Sequence, residues 1–245
     1  MSPVKALALY NEFSELTPDG EIGDEIINKL SDRLVSVDLL DQAAQLLNYQ
    51  VSFRLKGIEK GRVASRLAAV YLFDRQTEKC IKVLNDSKFN LLPEDLKLER
   101  LFLRARAHLL EEDYEKVLEL LKNNNQKESF IIRAEVYWKN KNWVKTVSEL
   151  DKALNLRWQS SEPLSVEERN QVIQMTVSLA LLDDWDNLIL IRERWLNLMR
   201  SSEDAEPFDI LTLNPDTESM DFRKVAGRIA QIDTLNEFMK RYNKN

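Results

Sequence analysis

His108 is the one histidine of the chain and Cys80 the one cysteine. An imidazole can act as a general base and a thiolate as a nucleophile, so these are the first residues to weigh for covalent catalysis. Each also has a packing role. Cys80 falls at a small position inside an apolar helical stripe, where a cysteine behaves as a compact apolar group. His108 stands where Tyr71 and Tyr137 stand in similar segments, which favours packing over proton transfer. Glu111-Glu112-Asp113 and Asp183-Asp184 pair carboxylates as acid–base chemistry or Mg²⁺ binding would require. Both runs precede a helix, and Asp113 and Asp184 are natural N-caps there. The sequence holds no phosphate loop, dinucleotide fingerprint or zinc spacing. No catalytic residue, cofactor or metal site is therefore expected, and the chain reads as a non-enzyme.

The five tryptophans, Trp138, Trp143, Trp158, Trp185 and Trp195, could line a ligand box. Core packing is the default for all five. Trp138 differs, since it follows the packed Tyr137 and should turn away from it.

The elements that would position these residues are helices. Only five glycines occur, none between Gly61 and Gly227, and proline is absent from Glu94 to Glu162. Leucine, glutamate, lysine and arginine dominate that stretch, which favours an all-α fold. Ser2 with Pro3 starts a first helix. Helical patterns follow at 23–36, 39–54, 58–73, 76–87, 94–110, 113–122, 126–140 and 143–156. Ser165 and Glu168 form a capping box that opens a helix to about Leu182, and Trp185 to Arg200 forms its partner.

The 44% hydrophobic and 31% charged content excludes a disordered chain. A net charge of −6 argues against a general nucleic-acid binder, which needs an excess of Lys and Arg on one face. A local patch of Arg100, Arg104, Arg106 and Arg133 keeps a regulatory nucleic-acid-binding domain as a third reading. One cysteine allows no intrachain disulfide. No run approaches the roughly 18 apolar residues of a membrane span. A complete chain would be cytoplasmic. A chain cut from a longer protein could belong to an exported one.

A hairpin of helices recurs. Aligned on their turns, the segments place Ala43, Cys80, Val117, Thr146 and Leu188 at one second-helix position, at intervals of 37, 37, 29 and 42 residues. Three residues before each stand Leu40, Thr77, Tyr114, Trp143 and Trp185, side chains that would wedge the hairpin. In these features the chain resembles the tetratricopeptide (TPR) family, whose unit has about 34 residues. The nearest matches are Ala105-x2-His108-x5-Tyr114-x2-Val117-x3-Leu121 and Ala134-x2-Tyr137-x5-Trp143-x2-Thr146-x3-Leu150-x2-Ala153. The family's small residue before the wedge is replaced by Arg75, Glu112, Lys141 and Asp183, and its closing proline is missing. Residues 24–60 also look like the C-terminal region of long bacterial TPR proteins.

The resemblance implies a right-handed superhelical array of antiparallel helix hairpins, an α-solenoid. It would span residues 1–200, followed by an irregular connector at 201–220 and a capping helix at 221–245. It also implies that first helices line a groove, through Arg62, Ser65, Ala69, Glu99, Phe102, Arg106, Ile131, Glu135, Trp138, Ile173 and Val177. Arg62 and Arg106 could hold an acidic group there. The alternative for the apolar positions is packing within a tightly wound coil. The function expected is a noncatalytic module binding a protein or peptide, within a larger bacterial protein. A structural role through self-association is the alternative.

Overall fold

A computed structural model describes residues 1–18 and 20–213. Every regular element among them is helical. The helices are α1 (Pro3–Glu12), α2 (Glu21–Val35), α3 (Leu40–Tyr49), α4 (Gly57–Phe73), α5 (Thr77–Asp86) and α6 (Glu94–Leu110). They continue as α7 (Tyr114–Leu121), α8 (Lys127–Lys139), α9 (Trp143–Leu154), α10 (Val166–Leu181), α11 (Trp185–Met199) and α12 (Ala205–Leu213). None is long and apolar enough to cross a membrane.

The chain divides into two compact units, Met1–Lys116 and Val117–Asn245. In the first, α2 packs on α3, α3 on α4, and α4 on both α5 and α6. In the second, α8 packs on α9, α9 on α10, and α12 on both α10 and α11. Its core gathers Leu150, Leu154, Val172, Met175, Val177, Trp195, Met199 and Phe208.

The expected caps form. Ser2 accepts from the Lys5 amide with Pro3 at the first helical position, and Ser165 and Glu168 make a reciprocal capping box. Five turns between paired helices share one geometry. Asp38, Arg75, Glu112, Lys141 and Asp183 all adopt the left-handed conformation, with φ of 62°, 57°, 58°, 55° and 53°. The amide after each bonds back five residues, to the carbonyls of Leu34, Tyr71, His108, Tyr137 and Leu179, at 2.7–3.0 Å. The left-handed residue itself bonds back three residues, to Val35, Leu72, Leu109, Trp138 and Ala180. This pair of bonds is a Schellman motif, which satisfies the last carbonyls of the first helix. Glycine is usual at its left-handed position, so each of these five side chains costs about 1 kcal/mol of backbone strain.

The residue after the left-handed one often starts the second helix. Asp113, Asn142 and Asp184 accept through side-chain oxygens from the amides of Lys116, Lys145 and Asn187. One residue thus closes one helix and caps the next, which leaves no slack in the turn. Ala43, Cys80, Val117, Thr146 and Leu188 are all buried, as their shared register requires.

Three expectations need correction. The helix expected over 39–54 ends at Tyr49 and continues as a π-helical turn, Gln50–Arg54. The fully buried Gln50 donates to the Asp24 carbonyl (3.0 Å), while Arg54 donates to Asp24 Oδ1 and the Pro18 carbonyl, each at 2.7 Å. Those bonds to the start of α2 hold the wider turn. The connector expected over 201–220 contains α12. Pro207 sits in its first turn, where a missing N–H costs no helix bond, and Phe208 and Leu211 are buried. Trp185, expected in the core, is 48% exposed. The buried stripe of α11 runs Leu188, Ile191, Trp195 and Met199, and Trp185 stands at its open N-terminal end. Residues 214–220 and the capping helix expected at 221–245 lie outside the described residues.

Candidate functional site

Cys80, Asp113 and Asp184, which first suggested catalysis, have packing or capping roles. Cys80 is fully buried, and burial pushes its thiol up to about 12, so it offers almost no thiolate near neutral pH. His108 is half-buried, with Nδ1 3.5 Å from Glu111 Oε2 and 3.8 Å from Asp113 Oδ2. Asp113 and Asp184 cap helices, as noted. Among the described residues no group of three or more His, Cys, Asp or Glu side chains could hold a metal ion.

The groove positions fare differently from one another. In the first unit Arg62 is exposed and pairs with Glu59, while Glu99 and Phe102 are partly buried. Ser65, Ala69 and Arg106 are buried, at 0%, 2% and 2% exposure. In the second unit Glu135 and Trp138 are partly buried, whereas Ile131, Ile173 and Val177 are buried. The six buried residues therefore do not line an open surface, which corrects their assignment as outward positions. The reason is that α4 and α10 contact neighbours on more than one side. Small side chains such as Ala64, Ala68 and Ala69 let those neighbours approach closely, so the polar face of α4 narrows to the stripe of Glu59, Arg62 and Arg66. Trp138 meets Trp143 edge-on, with ring centroids 5.0 Å apart.

The four-arginine patch is also largely internal. Arg100, Arg106 and Arg133 are buried, and partly buried Arg104 donates to Asn85 Oδ1. Arg100 donates through Nη2 to the Leu84 carbonyl (2.6 Å) and to Ser87 Oγ (2.9 Å), and through Nη1 to the Gly61 carbonyl (2.9 Å) and Ser65 Oγ (3.2 Å). It therefore closes the C-terminal end of α5 from α6. Arg133 does the same for α7 from α8: its Nη1 donates to the carbonyls of Leu121 (2.7 Å) and Asn124 (2.9 Å). The cation also complements the negative end of the helix dipole. Residue type and spacing alone gave no sign of these clamps. The available signal was an arginine on an otherwise apolar stretch, Arg100 between Leu96 and Leu103 and Arg133 between Phe130 and Val136, each at helical spacing.

One such clamp opens onto a cleft of about 680 Å³ in the second unit. Leu118, Glu119 and Lys122 supply one side, Phe130, Arg133 and Tyr137 the middle, and Glu149 and Lys152 the other side. Phe130, Arg133 and Tyr137 recur at helical spacing, on a face of α8 about 130° from that of Ile131, Glu135 and Trp138. The groove expected from the sequence thus named the opposite side of α8. Glu149 binds Arg133 Nε through Oε2 and Lys152 Nζ through Oε1, both at 2.7 Å. Arg133 and Lys152 also lie over the Phe130 ring, at 5.0 and 5.9 Å, and Lys145 lies 5.0 Å from the Tyr137 ring. Arg133, Glu149, Lys152 and the two rings are thus held by their contacts, which lowers the side-chain entropy that binding at those positions would cost.

No protein-family model, curated protein or solved structure matches the chain.

Proposed function

We propose that the chain is a noncatalytic, TPR-like helical-repeat module, a right-handed α-solenoid that binds a protein or peptide as part of a larger bacterial protein. The observation that carries this reading is the cleft of α7, α8 and α9. Its walls come from three consecutive helices, its aromatic side chains are held by cations, and its buried arginine is anchored to backbone carbonyls. Such a surface suits recognition by shape and charge, because binding loses little conformational entropy when the side chains are already fixed. The commitment of Cys80, Asp113 and Asp184 to packing and capping supports a noncatalytic role.

Selection of random dodecapeptides on the immobilised chain tests this reading. Peptides that bind at micromolar concentration and compete with one another support it. Recovery of none across independent libraries contradicts it.

A second reading, assembly by self-association, draws on Leu182, Trp185 and Ile189, which are 37%, 48% and 55% exposed near the start of α11. Light scattering separates the two. A mass that rises with concentration, and reverts to the monomer in Trp185→Glu, favours assembly. A constant monomer mass counts against it.

A further inference from the structure

Resting on the peptide-binding reading, we propose that the α7–α9 cleft receives an acidic side chain of its peptide, with the adjoining apolar residue on Leu118, Phe130 and Tyr137.

The argument begins with what the cleft's charges already hold. Both oxygens of Glu149 are engaged, one by Arg133 Nε and the other by Lys152 Nζ. That carboxylate is therefore neutralised, and the trio retains one positive charge. Arg133 is 9% exposed, and its Nε and Nη1 bonds are all to groups within the fold. Its Nη2 has no partner among the described residues, although the side chain lines the cleft. A guanidinium edge that is mostly desolvated and not fully bonded is a strong site for an oxyanion, since charge-assisted bonds gain most where water is excluded. Lys122 adds a second cation at the cleft wall and makes no ion pair among the described residues. Glu119 contributes the other negative charge. The lining as a whole sums to +1, from Lys122, Arg133 and Lys152 against Glu119 and Glu149, so one carboxylate neutralises it.

The apolar half of the proposal follows from the rings. Phe130 and Tyr137 stand seven residues apart on α8, two turns along one stripe, and both are half-buried. Leu118 faces the same cleft. A peptide that placed Asp or Glu beside a leucine-sized side chain would satisfy both halves at once. A phosphate ligand would use the cations and leave the apolar wall unfilled, and it would bring a second negative charge against Glu119 and Glu149.

The test uses the full chain and the dodecapeptides selected on it. Lys122 is exposed, so Lys122→Glu should leave the helical circular dichroism and melting temperature unchanged. The expected result is enrichment of Asp or Glu next to an apolar residue. Affinity should fall at least tenfold in Lys122→Glu, at least fivefold when the peptide's acid becomes its amide, and progressively as salt rises from low to moderate concentration. Enriched peptides that are neutral or basic, or that bind Lys122→Glu undiminished, overturn the cleft assignment while leaving peptide binding intact. A complete absence of binders overturns the peptide-binding reading itself. Tighter binding of inorganic phosphate or of a single-stranded oligonucleotide than of any acidic peptide, abolished by Lys122→Glu, overturns the carboxylate as the ligand.

Discussion

Arg100 donates to the carbonyl oxygen of Leu84 at 2.6 Å, joining the sixth helix to the last turn of the fifth across sixteen residues of sequence. Further hydrogen bonds, to Gly61, Ser65 and two oxygens of Ser87, strengthen the contact. The guanidinium thus replaces solvent for a helix end that the packing has buried.

Removing that group strands several carbonyls at once. Arg100→Met should destabilise the chain by about 3 kcal/mol, and Arg100→Lys by about 2 kcal/mol, because an ammonium cannot span the same oxygens. The neighbouring Arg104→Ala, which loses one bond at a partly exposed site, should cost less than about 1 kcal/mol. Urea denaturation of the three variants gives the comparison.

The left-handed turn residues make the opposite prediction. Glu112→Gly and Lys141→Gly relieve a Cβ held at φ of 58° and 55°. Each should stabilise the fold by about 0.5–1 kcal/mol, seen as a higher melting temperature. Alanine at the same positions keeps the Cβ and should give no such gain.

Cys80 supplies a pH dependence with a definite sign. Its thiol titrates near 9 in an unfolded chain and about 12 in the fold, because burial disfavours the thiolate. The folded state therefore holds the proton more tightly. The associated stability is complete below pH 9 and is lost as pH rises from 9 toward 12. Burial likewise raises the Tyr71 phenol, which adds to the alkaline loss. Cys80→Ala should flatten the decline of melting temperature above pH 9, and a thiol reagent should label Cys80 at neutral pH only after denaturation.

Phe208 tests the helix that replaced an expected loop. It is 1% exposed and belongs to the second unit's core. Phe208→Ala should cost about 3–5 kcal/mol. A loss under 1 kcal/mol would mean that Ala205–Leu213 does not pack there.

The helices and their turns were legible because they depend on local rules. The register position of Ala43, Cys80, Val117, Thr146 and Leu188 is buried in every pair, and Asp113, Ser165 and Asp184 carry capping chemistry in their own side chains. The open surface was not legible. Whether Ser65 or Ile173 faces outward depends on which helices lie beside α4 and α10, whose polar stripes, Glu59, Arg62 and Arg66 on one and Glu167, Asn170 and Gln174 on the other, are too narrow to mark how far solvent reaches around them. Pro207 misled because the same residue that stops a helix also suits its first turn. Arg100 and Arg133 misled because the charge that normally signals solvent here satisfies helix ends. The cleft escaped notice for a related reason: its centre is one of those arginines, and its rings lie on the face of α8 that repeat geometry assigns to packing.

The most direct test of the binding account is amide hydrogen exchange of the full chain with and without a saturating selected peptide. The account predicts slowed exchange concentrated in residues 118–137 and 149–152, absent when the Lys122→Glu chain is used. Protection confined to Arg62, Glu99 and Phe102, or no protection despite measured binding, would contradict it.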